Sequence, residues 1–136
     1  MIFKDEITIN SSKKTEIIDI TSKIQLVIEE SQIKSGIINI FSKHSTSAIV
    51  VNENEPGLLL DFEKILNDLI PRGNGYKHDI IDNNADSHLK SFLLGSSESI
   101  PINNKKLAIG TWQSIFFIEL DGPRNNRTIE VTIIGD

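Results

Sequence analysis

Two long apolar segments in the last third of the chain restrict the fold most, because both favour β-structure. TWQSIFFIEL, residues 111–120, and RTIEVTIIG, residues 127–135, are rich in β-branched and aromatic residues, which suit the pleated surface of a sheet. KLAIG, residues 106–110, is also strand-like, and the polar segment DGPRNN has the composition of a turn between the last two strands. The fold must therefore provide a sheet for the C-terminal third.

Strand and helix patterns alternate in the rest of the chain. Apolar and polar residues alternate in EITIN, and GIINIF is typical of a buried strand. We predict four strands in this part, at residues 2–10, 15–20, 36–41 and 47–53, with NSSKK as the turn between the first two. We predict three helices: residues 22–34 with Thr21 as N-cap and Gly36 as the end, a helix from Pro56 that stops before Pro71, and residues 83–94 with Asp82 as cap and Gly95 as stop. This order predicts an α+β fold with helices on one face of a mostly antiparallel sheet.

Length and composition limit the classes of protein to which this chain can belong. A chain of 136 residues fits one domain, which we take to span residues 1–136. The absence of cysteine removes disulfides and thiolate chemistry, so any metal must be held by His, Asp, Glu or carbonyl oxygen. The net charge of −5 argues against a general nucleic-acid binder but leaves room for a local cationic pocket for a phosphate. We see no signal peptide and no membrane span, so we expect a cytoplasmic protein.

The segment HDIIDNNADSH, residues 78–88, holds two of the three histidines. Asn84 and His88 are four residues apart and share a face of the predicted third helix, and His78 precedes that helix closely enough to fold back beside it. Neutral imidazoles are common ligands for zinc, and nearby aspartates can bind the ion or orient the rings. The alternative is that the histidines are incidental, with Asp79 solvated and Asp82 capping the helix.

The third histidine, His44, precedes three small residues in KHSTSA, at the start of an apolar strand. Small residues allow the backbone to approach a ligand closely. Asn52 and Glu53 follow this strand, and we expect them to reach the same end of the sheet as His44. A serine hydrolase is not indicated, because adjacent residues on an extended chain point to opposite faces and no nucleophile elbow is present.

Polar residues interrupt the apolar segment GTWQSIFFIELDGPR. By alternation, Gln113 and Glu119 share a face with core-like residues, and a glutamate in such a position is costly unless it is paired. Arg124 and Arg127 lie across the turn and are candidate partners. Two interpretations stay open: a structural salt bridge that closes the hairpin, or a carboxylate for acid–base chemistry beside a guanidinium for phosphate.

Five segments of the chain resemble the YjbQ-like family, small proteins also called secondary thiamine-phosphate synthase enzymes. These segments are H-S-T-S-A with N-E (44–53), Y-x-H-D with N-A-D-S-H-L-K (76–90), L-x-x-G-S-S with I-P-I (94–102), L-A-I-G-T-W-Q-S-I-F (107–116) and E-L-D-G-P-R (119–124). The chain departs from the family pattern at Lys105, where Gly is usual, and after His44, where Ser stands in place of the commoner Thr.

The resemblance implies an α+β domain whose sheet curls into a half-barrel, with two main helices and one short helix on one face, and assembly as a homotrimer. It implies a divalent metal ion, zinc or similar, on His44, His78 and His88. It also implies a set of polar companions in the catalytic site: Asn52, Glu53, Gln113, Glu119 and Arg124.

The activity implied by the resemblance is weak thiamine-phosphate synthase, here a metal-assisted transferase reaction. It joins an aminopyrimidine pyrophosphate to a thiazole phosphate and releases pyrophosphate. Glu119 would act as acid or base, or orient a histidine, and Arg124 would hold a phosphate. Hydrolysis of a phosphate ester is a variant of this hypothesis. Two alternatives from other classes stay open: a phosphometabolite-binding module without catalysis, and a structural trimer whose polar cluster is only interface chemistry.

Overall fold

The computed structural model describes all residues from Met1 to Asp136 and contains eight strands and three α-helices. In chain order these are β1 (Ile2–Ile9), β2 (Glu16–Asp19), α1 (Thr21–Ser31), β3 (Gly36–Ser42), β4 (Ser47–Asn52), α2 (Pro56–Leu69), α3 (Ala85–Leu94), β5 (Ser97–Asn103), β6 (Lys106–Leu107), β7 (Ser114–Glu119) and β8 (Arg127–Gly135). A short 3₁₀ helix, Lys77–Ile80, precedes α3. None of the helices combines the length and the apolar character needed to cross a membrane.

The strands form two sheets in which every pair is antiparallel. Sheet A has the order β1-β8-β3-β5-β6 and curls into a half-barrel, whereas sheet B has the order β2-β7-β4. The predicted α+β fold and half-barrel are confirmed. The smaller second sheet is a feature that the sequence patterns did not predict.

Two polar turns carry the chain between the sheets. NSSKK joins β1 in sheet A to β2 in sheet B, and DGPRNN joins β7 in sheet B to β8 in sheet A. The hairpin predicted at DGPRNN is wrong, because β7 and β8 lie in different sheets, and NSSKK does not close a hairpin either. The turns contact each other, because Ser11 N donates to Arg124 O at 2.8 Å and Gly122 N donates to Lys14 O at 3.0 Å. These hydrogen bonds tie the two sheets together at one end.

The main hydrophobic core lies between sheet A, sheet B and α1. β8 buries Ile129, Val131 and Ile133 at the two-residue spacing of a strand, and α1 adds Ile24 and Ile28 from one helical face. A second, smaller cluster on the other face of sheet B packs against α2 and α3. β7 is therefore buried on both faces, which explains its uninterrupted apolar run.

Helix α1 is shorter than the predicted span of 22–34. It begins at Thr21 and ends at Ser31. Asp19 stabilises its start, because the Asp19 carboxylate accepts a hydrogen bond from Thr21 N at 2.9 Å. Gln32 then takes a left-handed conformation with φ of 61° and ends the helix.

Gly36 was predicted to end α1 but belongs to β3. An added Cβ at this position would lie 2.1 Å from the carbonyl oxygen of Ile134 in β8. Glycine is therefore required because β3 and β8 approach too closely for a side chain.

The C-terminal third contains a strand that sequence reasoning missed. β5 spans Ser97–Asn103 and pairs with β3, although Pro101 and several polar residues obscure its pattern. Only Lys106–Leu107 of the predicted KLAIG strand is in a sheet.

Helix α3 begins at Ala85, two residues later than predicted. Asp79, rather than Asp82, stabilises this start, because Asp79 Oδ1 accepts a hydrogen bond from Ala85 N at 2.9 Å. Asp79 is therefore a structural residue and not a solvated one. The predicted stop at Gly95 is confirmed.

Candidate functional site

A buried ion pair joins the two sheets at the end where the polar turns meet. Glu119, the last residue of β7, is fully buried, and Arg127, the first residue of β8, is nearly so. Arg127 donates Nε to Oε1 of Glu119 at 2.9 Å and Nη2 to Oε2. Ser11 Oγ also donates to Oε1 at 2.7 Å, and Asp121 N donates to Oε2 at 3.1 Å. Both oxygens of the carboxylate are therefore occupied.

This ion pair corresponds to the structural interpretation of Glu119. Burial by itself raises the pKa of Glu119, but the hydrogen bonds from Arg127 and Ser11 outweigh burial and lower the pKa below its ordinary value. The carboxylate stays ionised and faces no groove. The geometry therefore favours a structural role for Glu119 over the predicted role as acid or base.

His44 lies in the corner between β3 and β4, and its ring is held by β8. Its Nε2 accepts a hydrogen bond from Thr128 N at 2.8 Å. Burial and the charge of Arg127 lower the pKa of His44, so the ring is neutral at pH 7. A neutral imidazole has one N–H and one acceptor nitrogen, so the proton is on Nδ1. No protein group accepts a hydrogen bond from that N–H, which leaves it free for a ligand.

His78 and His88 come together beside α3. Their ring centroids are 4.7 Å apart, with an angle of 79° between the ring planes. The Nε2 atom of His78 is buried, has no hydrogen-bond partner and lies 3.6 Å from Asp82 Oδ2. A buried nitrogen without a partner calls for an explanation, and a second imidazole beside it suits a metal ion such as zinc.

The three histidines do not form one ligand cluster within the chain. No group of three or more His, Cys, Asp or Glu side chains is arranged to hold a metal ion. The acceptor nitrogen of His44 is already used by Thr128 N. His78 offers an unpartnered nitrogen beside the His88 ring, whereas the acceptor nitrogen of His44 is occupied. The three-histidine metal site stays a prediction. For His44 to bind the ion through Nε2, it would have to lose the hydrogen bond from Thr128 N.

Polar contacts fix Arg124 near the same region. Its Nη2 donates to Asp121 Oδ2 at 2.9 Å and its Nε donates to the Asp121 carbonyl at 2.9 Å. Asn84 Nδ2 donates to the same carboxylate oxygen at 2.8 Å, while its own Oδ1 is buried without a partner. The guanidinium remains half-exposed, and its charge contributes to the lowered pKa of His44.

Two surface grooves meet at α3. The His44 groove has a volume of about 500 Å³, and its polar lining comes from Ser42, Lys43, His44, Ser45, His88, Ser91 and Ser96. The His78 groove has a volume of about 480 Å³ and is lined by Tyr76, Lys77, His78 and parts of α3. His88 and Phe92 line both grooves, and no acidic side chain lines either. The grooves therefore place all three histidines on one surface.

Asn52 and Glu53 lie at the opposite end of sheet B from His44. Ser47 pairs with Glu119 and Asn52 pairs with Ser114, so the length of β4, roughly 17 Å, separates the two ends. Asn52 and Glu53 instead border an apolar cleft of about 170 Å³ between α2 and sheet B. The expectation that they reach the His44 end is wrong within one chain, because they follow β4 whereas His44 precedes it.

Gln113 is also away from the histidines. It precedes β7, is exposed, and its Oε1 accepts a hydrogen bond from Gly110 N at 2.7 Å. The predicted shared face with Glu119 is wrong, because the strand begins only after Gln113. Gln113 therefore stabilises the G-T-W-Q turn.

Sequence reasoning missed several residues of the His44 groove. Lys43 and Ser45 flank His44 in the sequence, and Ser96 follows Gly95 in the G-S-S motif, so local signals were present for all three. Thr128 had no such signal, because it is 84 residues away from His44 along the chain.

The fold and the grooves define a class of small α+β proteins that carry a histidine-lined polar surface at the edge of a curled antiparallel sheet. The family model described as UPF0047 protein YjbQ-like matches residues 5–136. The chain belongs to this family.

Relatives and solved structures agree with the family assignment. A UPF0047 protein of Methanothermobacter thermautotrophicus is 52% identical over 98% of this chain and 93% of its own length. The UPF0047 protein YugU of Bacillus subtilis is 34% identical over 93% of this chain and 96% of its own. The crystal structure of a YbjQ-like protein of unknown function from Sulfolobus solfataricus is similar with a TM-score of 0.97 and 41% identity, covering 100% of this chain and 99% of that one.

The buried ion pair predicts a large stability effect. Replacing Glu119 with Gln leaves the buried Arg127 guanidinium without its counter-charge, and breaking such a pair typically costs about 3–5 kcal/mol. We expect this loss in urea unfolding at pH 7 and fixed protein concentration. Because the folded pKa of Glu119 is lowered, its stabilisation is present above the unfolded pKa of about 4.3 and disappears as pH falls through the folded pKa. The difference between wild type and E119Q should therefore shrink in acid.

The control for this prediction is Asp68→Asn. Asp68 pairs with Lys64 at 3.0 Å, but both side chains are largely exposed, so this change should cost less than about 1 kcal/mol. An E119Q variant as stable as D68N would show that the buried pair does not hold the sheets together.

Proposed function

We propose that this protein acts on phosphorylated small molecules that bind in the His44 groove. One observation carries the proposal: the groove combines Lys43, the free Nδ1–H of His44 and two serine hydroxyls, Ser45 and Ser96, with no acidic side chain in its lining. The whole chain has a net charge of −5, so a lining without carboxylates is a local departure from the average surface. Its volume of about 500 Å³ lies in the usual range for small-molecule sites.

The donors in the groove suit a phosphate oxygen. Hydrogen bonds from charged groups to anionic oxygens are shorter and stronger than neutral ones. Lys43 Nζ lies 3.8 Å from Glu130 Oε2, and both side chains are exposed to solvent, so this ion pair is weak. Lys43 is therefore able to exchange this contact for a phosphate at little cost.

A divalent metal ion fits this proposal through His78 and His88. The buried, unpartnered Nε2 of His78 beside the His88 ring supports the assignment. A divalent ion bound there would supply a Lewis acid that polarises a phosphoryl oxygen. The role of His44 is then to donate a hydrogen bond from Nδ1 to the bound phosphate.

Thiamine-phosphate synthesis is the specific reaction that we propose from the family resemblance. It would release pyrophosphate, and this departure needs charge neutralisation more than covalent chemistry. Lys43, His44 and the half-exposed Arg124 supply donors and positive charge for this purpose. The proposed setting is the cytoplasm.

A phosphometabolite-binding module without catalysis is the second candidate. One observation favours it: no carboxylate lines either groove. Glu119 is the one carboxylate predicted to act as an acid or base, and both of its oxygens are occupied. Tight binding without turnover of the thiamine precursors, or of a phosphate ester, would distinguish this candidate from an enzyme.

Binding of inorganic phosphate tests the proposed anion site. We expect Lys43→Ala to weaken phosphate binding by about tenfold, because it removes a charge-assisted hydrogen bond worth about 1.5 kcal/mol. Isothermal titration calorimetry measures the affinity, and thermal unfolding checks it independently, since phosphate at 100 times its Kd adds about 2.7 kcal/mol to the wild type.

Lys64→Ala is the matched control for the phosphate experiment. Lys64 is also exposed and ion-paired, but it lies on α2 and lines neither groove. Equal loss of affinity in both lysine variants would place phosphate outside the His44 groove. Absence of phosphate binding by the wild type would refute the proposed function.

Metal content tests the assignment of the histidines. Protein purified without chelator should lose its bound divalent metal when His78 or His88 is changed to Ala, because each change removes an imidazole ligand. The His44→Ala variant should keep its metal, because the His44 acceptor nitrogen already binds Thr128 N. Elemental analysis of the three variants measures this. Metal loss in H44A would instead support the three-histidine site, and a metal-free wild type would contradict metal assistance.

We also propose that the protein assembles as a homotrimer, as the family resemblance implies. Helix α2 supports this, because its Leu60, Ile65 and Leu69 side chains are exposed and Leu66 is its only fully buried residue. Trp112 is exposed as well. Sedimentation equilibrium should give three times the 15.2 kDa mass of the chain. A monomer at micromolar concentration would contradict the proposal.

A further inference from the structure

An apolar cleft, here called the α2 cleft, separates helix α2 from sheet B. Hydrocarbon side chains of both elements form its walls: Leu58, Leu59 and Phe62 of α2, and Val50, Phe116 and Ile118 of sheet B. The volume of the cleft is about 170 Å³. An apolar space of about 150 Å³ in a protein is large enough to bind benzene, so the α2 cleft has room for one hydrocarbon group of about six carbon atoms.

Polar contacts near both ends of α2 hold the helix over the cleft. Just before the helix, Asn54 Nδ2 donates to Oδ2 of Asp19, the last residue of β2, at 2.8 Å. Near the end of the helix, Asn67 Oδ1 accepts a hydrogen bond at 2.7 Å from the buried Lys90 of α3. Leu66 is the only fully buried residue of α2. The helix is therefore tethered at its ends, and part of its inner apolar surface is left uncovered by the chain.

Glu53 adds a negative charge to the edge of the α2 cleft. It is the only charged residue in the lining, and it is half-buried. None of the ion pairs of the chain includes its carboxylate. Asn52 Oδ1 accepts a hydrogen bond from Glu53 N at 2.7 Å, which fixes the backbone beside the cleft. Apolar walls with a few polar groups that fix orientation are the usual composition of a small-molecule site.

The charge of the α2 cleft is opposite to that of the His44 groove. Lys43 lines the His44 groove without an acidic neighbour in the lining, whereas Glu53 lines the α2 cleft without a basic one. An anionic ligand in the cleft would be repelled by this carboxylate. A cation that donates N–H groups to it would form charge-assisted hydrogen bonds, which are about twice as strong as neutral ones.

We infer that the α2 cleft is a second ligand site that takes a small apolar ammonium compound. The hydrocarbon part of the ligand fills the cleft, and its ammonium group donates to Glu53. Removal of apolar surface from water on both sides of the cleft favours entry of the hydrocarbon part. The site is separate from the His44 groove and does not depend on phosphate binding there. It also gives Glu53 a binding role away from the three histidines.

A side chain from a second copy of the chain is the competing occupant of the cleft. The exposed apolar residues of α2 that suit a subunit contact, Leu60, Ile65 and Leu69, line no part of the cleft. Assembly through these residues therefore leaves the cleft accessible. The experiment uses the assembled protein, so that a cleft filled by a neighbouring subunit is detected as absence of ligand binding.

Cyclohexylamine and cyclohexanol form a matched pair of probes. Both carry a cyclohexane ring and one polar group, and the amine is a cation at pH 7 because alkylamines, like lysine, have a pKa of about 10. We expect the wild-type protein to bind the amine about tenfold more tightly than the alcohol. A titration followed by methyl NMR signals measures both affinities, and shifts at Val50, Leu58 and Leu59 should locate both probes in the cleft.

Glu53→Gln should remove most of the difference between the probes and leave the affinity for cyclohexanol unchanged. Asp61→Asn is the matched control, because Asp61 is an exposed acid on α2 that does not line the cleft. This control should retain the tenfold difference. Thermal unfolding of both variants checks that the fold is intact.

Failure of the wild type to bind either probe would overturn the inference, and so would methyl shifts confined to other parts of the protein. Equal affinity of the wild type for the two probes, or an E53Q variant that keeps the difference, would overturn the assignment to a cation. These outcomes are independent of the proposed function. Phosphate binding at Lys43 is measured separately, and its absence would leave the α2 cleft standing as a site.

Discussion

The buried pair of Glu119 and Arg127 is the interaction on which the rest of the structure depends. Glu119 ends a strand of sheet B and Arg127 begins a strand of sheet A, so the pair fixes how the sheets meet. Ser11 donates to the same carboxylate from the other turn, and Thr46 accepts from the guanidinium at 2.9 Å. Four separate segments converge on one ion pair, and the polar surface is built directly beside it.

The state of His44 follows from this arrangement. Arg127 holds the start of β8 against the corner that contains Thr46, and the next residue, Thr128, donates its N–H to His44. The same guanidinium charge helps to keep the imidazole neutral. The ring is thereby held in one orientation and one tautomer. In this structure, the residue that the sequence suggests as a metal ligand uses its Nε2 as a hydrogen-bond acceptor.

Sequence reasoning succeeded where the signal was local. Helix α2 was predicted because Pro56 and the apolar spacing mark it directly, and the cost of a buried glutamate correctly suggested a partner for Glu119. Sequence reasoning failed for features that depend on pairing between segments far apart along the chain. Pro101 concealed strand β5, the second sheet has no local signal, and the direction of β4 sends Asn52 away from His44. The tautomer of His44 depends on a backbone group 84 residues away, which no spacing rule can reveal.

The proposed anion groove is compatible with a net charge of −5, because several acids near it are paired with basic side chains. Glu119 is paired with Arg127, Asp121 with Arg124, and the buried Asp86 with Lys14 and Lys90. Charges farther than about 8 Å from the groove are largely screened at physiological ionic strength. The field that a phosphate would meet at the proposed site is therefore set by Lys43, its exposed partner Glu130 and the neighbouring donors, and not by the total charge. The same reasoning explains why net charge excludes a broad nucleic-acid surface but not a small cationic pocket.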